Sequence, residues 1–459
     1  MRVFLRRVNV AMKPLFRPWA SRLAALLVGT ALMGSAFAQA TPSVTWPEAL
    51  RPVIRQAAPA TAPTNPDQRK ITAEEKQAVL DRIATILSEQ AFVPGVDFVA
   101  KWKEMLEAQK EALDKAETAA AFSREINGML NRYGLSHISL FTPSFGEQRV
   151  TQRRAGIGIR IQIEAEGVRV TDMFPDGPAK EAGIQIGDLI VEADGKPVRG
   201  PNDIQGERGQ TSKFVVKRGE ERVEISVTRR DFSTVIPESI RWEGDYAVVK
   251  IPTFDIGYNQ QNVAKIMGEA QRAKGMILDL RSNGGGRVTN LQHLAAFFLD
   301  PETQPLGTFI GRAQVRMYEE RFGPTTDLVK IAENTRFKVR PVRNISVPRF
   351  DKPVTVLVDG GTGSASEMMA AALQEIRGST VIGSKTAGAV LASLIVRLND
   401  PVGYWIQYPL TDYVTIKGRR LEGNGVEVNI PAGVARFGEP DPGVVAAVRK
   451  LDELASSGG

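Results

Sequence analysis

Between Val356 and Gln374 the chain reads VLVDGGTGSASEMMAAALQ, an apolar strand that runs through a glycine turn into an alanine-rich helix with Ser364 at the junction. An unbroken apolar strand must be covered on both faces, which calls for a sheet with helices packed against it. A serine at such a junction also sits at a helix N-terminus. The first N–H groups there, that of Ala365 among them, have no intrahelical partner and can face a developing oxyanion. The competing reading is a cap: Ser364 or Ser366 closes the helix end, and Glu367 completes an S-x-x-E capping box from Ser364.

The same alternation fills the C-terminal half. YAVVKIPTF, MILDLRSNGGG, the helix TNLQHLAAFFL, VTVLVDGG, the helix SEMMAAALQEI and TVIGS predict an α/β core over residues 233–452, followed by a tail at 453–459. Sites in such sheets gather beyond the carboxyl ends of the strands, and both Ser364 and Gly284–Gly286 follow strand ends. Three glycines can be a flexible turn, but they also suit a backbone that must approach a substrate closely.

Upstream the period changes. GIGIRIQIEAEGVRVTDM alternates, PAKEAG makes a helical turn, and SKFVVKRGEERVEISVTRR forms a hairpin around Gly219, so residues 151–232 read as a small β-rich module with Arg229 and Arg230 at its far edge. Residues 71–150 read as a helical N-terminal domain, opened by Thr72 as a cap. The six prolines of residues 39–70 make a Pro/Ala-rich lead-in. The chain is thus a multidomain α/β protein.

Residues 1–38 carry six of the 59 cations and no acid, then an apolar run, Leu23 to Ala38, ending in the A-x-A pattern Ala36-Phe37-Ala38. This reads as a signal peptide that is removed, giving a secreted or periplasmic protein without lasting membrane insertion. The rest is almost balanced against the 52 acids, which argues against nucleic acid as a partner. With no cysteine, thiol chemistry and thiolate metal sites are excluded, and two distant histidines support no metal centre; no cofactor is expected. No G-x-x-x-x-G-K-[ST] stretch suggests nucleotide hydrolysis.

Four segments in order, FPDGPAKEAGIQIGDLIVEADGKPV, LDLRSNGGG, TGSASE and GSKTAG, resemble the tail-specific, or C-terminal processing, serine peptidases. The resemblance implies a ClpP/crotonase-like core, a PDZ-like module at 151–232 and Ser364 as nucleophile. In one branch the base is a lysine in T-F-G-K-G, but this chain has Ala389 at that position, with Lys385 nearby. Another branch, similar to the core of tricorn protease, uses a serine–histidine pair and a glutamate in E-N-x-G-V-x-P-D. YGLSHISLF supplies Ser136 and His137, and LEGNGVEVNI aligns Glu422, with Glu427 as a fallback; Gly423, Val428 and Asn429 depart from that pattern.

Histidine is the side chain suited to accept a serine proton near neutral pH. The chain has two, and His293 lies in a helix among apolar residues, so His137 is the candidate base. The expected site is Ser364, His137, Ser136 and Glu422, with oxyanion donors from Ala365 and Gly284 or Gly285. The PDZ-like module implies capture of a peptide carboxylate by Gly156, Ile157, Gly158 and Ile159, although its lining helix looks shortened. The expected function is a serine endopeptidase acting on protein or peptide substrates, with room for a homo-oligomer. The alternatives are a non-catalytic peptide-binding adaptor and a carrier of apolar ligands.

Overall fold

The computed structural model describes residues 65–457 apart from residue 344; the expected leader and nearly all of the lead-in lie outside the described residues. Three helices come first, α1 (Ala73–Glu89), α2 (Phe98–Lys115) and α3 (Ala119–Asn131), each opened by a side chain that accepts an orphan N–H, from Thr72, Asp97 and Thr118 respectively. At Thr72 the box is complete, since Glu75 reaches back to the Thr72 N–H at 3.0 Å. Strand β1 (Ser139–Phe141) and helix α4 (Pro143–Thr151) follow.

The PDZ-like module holds β2 (Arg153–Gly156), β3 (Ile159–Glu164), β4 (Gly167–Met173), the one-turn α5 (Pro178–Glu181), β5 (Leu189–Ala193), β6 (Lys196–Pro197), β7 (Thr211–Arg218), β8 (Glu221–Thr228) and β9 (Arg230–Ser233). Its main sheet runs β3-β4-β5-β7-β8, with β3 on an edge, while β2 and β9 form a ribbon. Where a lining helix would stand there is only a 3-10 turn, Pro201–Ile204. Arg229, at the module's far edge along the sequence, is buried beneath this turn at 2% exposure. Its guanidinium donates to Ser212 Oγ at 2.7 Å and to the carbonyls of Ile204 and Gln205, both at 3.1 Å. Gly206 lies against it, since a Cβ there would come within 2.7 Å of the Arg229 Cζ. A short turn leaves bare carbonyls, and a forked cation satisfies several of them at once.

The core begins with β10 (Ser239–Glu243), β11 (Tyr246–Lys250), α6 (Gln260–Ala270), β12 (Gly275–Asp279) and α7 (Val288–Ala296). Next come β13 (Gly307–Ile310), α8 (Arg312–Phe322), α9 (Leu328–Asn334), β14 (Val354–Val358), α10 (Ala365–Arg377) and β15 (Thr380–Gly383). Last are β16 (Ala392–Arg397), β17 (Trp405–Thr415), β18 (Ile430–Pro431) and α11 (Pro442–Ser457). One sheet runs β10-β11-β12-β14-β15-β18 and is parallel from β11 onward. Every residue of β12 and β14 is buried, as unbroken apolar strands require. Helices α6, α7 and α10 cover one face, where Met267, Leu294 and Met369 meet Leu278 and Val356. Helix α11 covers the other, with Val444, Ala447 and Leu451 on Ile277 and Leu357.

Strand β17 carries a second sheet. It pairs with β1 and β16 at its start and with β13 at its end. The N-terminal helices do not close a core of their own: Ile83, Trp102, Phe122 and Ile126 pack in one cluster with Leu391, Tyr404, Ile406 and Tyr408. The Tyr404 hydroxyl also donates to the Ala119 carbonyl at 2.7 Å. The helical domain expected at residues 71–150 is therefore one packing unit with β16 and β17.

Beneath the glycine loop after β12 lies a charged cluster. Lys250 Nζ donates to Asp279 Oδ1 at 3.1 Å and to the Arg281 carbonyl at 2.6 Å; Arg281 bonds Asp279 Oδ2 at 2.8 Å and Asp441 Oδ1 at 3.0 Å. Removing one member of a buried ion pair leaves the others uncompensated. Asp279→Ala is expected to cost about 3–5 kcal/mol of stability, read as a lowered midpoint in urea unfolding with unchanged slope.

Candidate active site

Strand β14 ends at Val358 and α10 begins at Ala365, so the turn between them sets Ser364 in an unusual backbone conformation, φ 53° and ψ −121°. A non-glycine residue there is strained and must be held by its surroundings. The Ser364 N–H is shared between the Ala389 carbonyl at 2.7 Å and Glu367 Oε2 at 3.0 Å. Only half of the capping box is made: the Glu367 N–H goes to the Ser364 carbonyl at 2.9 Å, and the Ser364 hydroxyl caps nothing. Among the described residues that hydroxyl has no hydrogen-bond partner. Ser366, the other serine of the motif, is fully buried and its Oγ is also unpartnered.

The glycine loop after β12 lies against this turn, tied by the Gly363 N–H to the Asn283 carbonyl at 3.0 Å. Gly285 has φ +95°, and a Cβ on it would stand 2.6 Å from the Ser364 Cβ and 2.9 Å from the Ala365 nitrogen. No other residue fits so close an approach. The Gly285 N–H, however, is taken by Asn283 Oδ1 at 2.9 Å, so it is not a free oxyanion donor as expected. The N–H groups of Ala365 and Gly284 have no acceptor among the described residues, and both residues line the cleft with Ser364.

Ser136 and His137 lie just before β1, which the β17 pairing fixes in register, Ser139 opposite Gln407. Glu422, 4% exposed, accepts the Ser136 N–H on Oε1 at 2.8 Å and the Ser136 hydroxyl on Oε2 at 2.8 Å. The same hydroxyl lies 2.7 Å from His137 Nδ1. A hydroxyl donates one proton and a carboxylate can only accept, so the Ser136 proton goes to Glu422 and its lone pair receives the Nδ1–H of His137. This fixes the tautomer and leaves the Nε2 lone pair unprotonated. Burial holds the His137 pKa below the ordinary 6.5; the Glu422 carboxylate opposes that and Arg149 adds to it.

The loop from Thr386 to Val390 joins the two halves. Glu367, fully buried, accepts from Thr386 Oγ1 at 2.6 Å, Gly388 N at 2.7 Å and Ala389 N at 2.9 Å, while Glu422 accepts the Val390 N–H at 2.9 Å. Ala389 lines the cleft at the place where a lysine would stand. Lys385 and Glu427, the fallback base and acid, form a surface ion pair with each other at 2.6 Å and are 54% and 69% exposed. Neither lines the cleft. His293 is held by the Tyr258 hydroxyl at 2.9 Å and meets the Tyr258 and Phe297 rings edge-on, a structural setting.

His137, Ser364, Ala365 and Gly284 all border one cleft of ≈ 840 Å³ with walls that include Val288, Phe309 and Met368. Its charged residues, Arg149, Asp255 and Arg287, escaped sequence reading because nothing local links them; Arg149 donates to Asp255 Oδ2 at 2.8 Å across the cleft wall. The GIGI loop lies apart, in the PDZ-like module. The carbonyls of Ile157 and Gly158 accept from Ala179 at 2.9 Å and Phe174 at 3.0 Å, and the Ile157 and Gly158 N–H groups have no acceptor among the described residues. Gly156 pairs with Arg230 at the end of β2, and Ile159 opens the edge strand β3.

Comparison with known proteins agrees with this architecture. A protein of Staphylococcus haemolyticus named as a probable CtpA-like serine protease is 28% identical over 294 residues, covering 62% of this chain and 54% of its own length. A Staphylococcus epidermidis protein of the same name is 25% identical over 338 residues, covering 72% of this chain and 63% of its own. The chain thus spans just over half to under two thirds of the length of these relatives. Mature CPAF complexed with lactacystin shares the fold, with a TM-score of 0.50 at 14% identity over 83% of this chain and 98% of that one. Residues 169–207 match a PDZ domain, and residues 245–432, which carry both Ser364 and Glu422, match peptidase family S41.

Proposed function

We propose that this protein is a serine endopeptidase of exported proteins that uses a histidine rather than a lysine as base. The observation that carries this reading is the Ser136 hydroxyl, bonded at 2.8 Å to Glu422 and 2.7 Å from His137 Nδ1, which leaves Nε2 free in the cleft shared with Ser364. Ser364 Oγ attacks the scissile carbonyl as His137 Nε2 takes its proton; the oxyanion is met by the N–H groups of Ala365 and Gly284. His137 then returns the proton to the leaving amine, and water repeats the cycle on the acyl-enzyme. Glu422 stabilises the imidazolium through the Ser136 hydroxyl.

An extended substrate is supported by β16. Among the described strands it pairs with β17 alone, and Ala392, Ser393, Leu394 and Ile395 line the cleft beside Ala389. An unpaired strand edge binds extended chain by main-chain hydrogen bonds. The same logic gives the PDZ module a substrate tail, placed along the edge strand β3 with its carboxylate at the Ile157 and Gly158 N–H groups. Among the described residues no helix is long and apolar enough to cross a membrane. The basic, apolar leader of the sequence supports export.

Ser364→Ala is expected to lower turnover of an unfolded protein substrate roughly 10⁶-fold, and Glu422→Gln roughly 10⁴-fold. Lys385→Ala leaves turnover unchanged. Cleavage undiminished in Ser364→Ala would overturn the reading, and a wild-type protein that binds peptides without cutting any would be the adaptor instead.

The free imidazole is the active form, and burial disfavours its protonation. Activity measured as kcat/KM is therefore expected to rise with pH through a value below 6.5. In His137→Ala that limb disappears with the activity. A limb set by an amine well above neutrality would assign the base to a lysine.

A further inference from the structure

Three charged residues line the cleft, and their balance is uneven: two guanidiniums, Arg149 and Arg287, face one carboxylate, Asp255. Arg149 hydrogen-bonds that carboxylate, donating to Oδ2 at 2.8 Å. Arg287 does not, since its Nε stands 3.8 Å from Oδ1, beyond hydrogen bonding, with its side chain 62% exposed. Its backbone is nevertheless fixed, because the Arg287 N–H donates to the Phe254 carbonyl at 2.8 Å and Gly286 lies so close that a Cβ would reach 2.2 Å from the Asp255 nitrogen. A purely structural strap from α4 to the Asp255 loop would need Arg149 alone. The second cation adds to the strap only that loose ion pair and leaves a net positive charge in the cleft.

The side of the scissile bond follows from the proposed chemistry. His137 hands its proton to the leaving amine, so the leaving segment lies on the His137 side. Arg149 belongs to that side, on the helix that follows β1, and is close enough to His137 to act on its charge. Resting on the reading of this cleft as a peptidase site, we propose that Arg149 and Arg287 receive a carboxylate carried by the substrate C-terminal to the scissile bond. Planar guanidiniums suit a carboxylate bidentately, and the group can be an Asp or Glu side chain or the terminal carboxylate of a short leaving segment.

The test uses matched peptides and the full-length chain. One pair differs by Glu or Gln in the first three positions after the cleaved bond, a second by the same change before it. A third pair ends shortly after the bond as free acid or amide. Each pair is measured for kcat/KM with wild type, and for equilibrium binding to the Ser364→Ala variant. The carboxylate is expected to raise kcat/KM and affinity roughly tenfold on the leaving side only, by less as salt is added. The ratio should collapse toward one in Arg287→Gln and in Arg149→Gln. A gain in the first pair assigns an acidic side chain and a gain in the third the chain terminus, and either supports the proposal. Equal values in both of those pairs, a gain confined to the second, or a ratio that survives both substitutions overturns it. Binding to Ser364→Ala decides the matter even if wild type cuts nothing, an outcome that would remove the peptidase reading but not the carboxylate site.

Discussion

Two buried carboxylates grip one loop from opposite sides. Glu367 takes the Gly388 and Ala389 N–H groups and the Thr386 hydroxyl, and Glu422 takes the Val390 N–H. Each then spends its remaining lone pairs on the candidate site, Glu367 on the strained Ser364 backbone and Glu422 on Ser136. A buried carboxylate with several N–H donors is stable where an unpaired one is not, so the loop's conformation and the burial of both acids require one another. The alanine at position 389 fits this arrangement. With its own N–H and carbonyl both committed, the residue serves through its backbone, and its methyl group leaves the cleft open toward His137.

Much of the fold was legible because its strongest signals are local. The apolar runs at Met276 to Leu278 and Val356 to Val358 predict buried parallel strands, and the strand–turn–helix around Ser364 is a pattern within nineteen residues. The residues proposed for the site were nameable for a similar reason: S-A-S-E, S-H and the Glu422 loop are each short. What the sequence hid depends on partners distant in the chain. Nothing near Arg229 announces that a shortened turn needs a cation beneath it. Nothing in N-G-G-G tells which glycine N–H the Asn283 side chain will take.

The helical N-terminal segment shows the same limit. Its periodicity predicts helices, and helices form, yet periodicity does not say what their apolar faces cover. Leu391, Tyr404, Ile406 and Tyr408 lie some three hundred residues downstream, and they complete the core that the helices begin. Domain boundaries drawn from composition therefore separate segments that pack as one body.

The bond between Ser136 and Glu422 spans 286 positions of sequence. Its geometry depends on the long strand β17, which must pair with β1 on one side and β16 on the other before Glu422 can reach Ser136. Contacts of such sequence separation form late, after the loop-closure cost has been met. A chain still emerging from synthesis carries Ser136 and His137 long before Glu422 is made, and an unfolded full-length chain carries all of these residues and none of their arrangement. Whatever this cleft does, it can do only once the last sixth of the chain has joined the first third, so the topology itself keeps an incompletely folded chain inert.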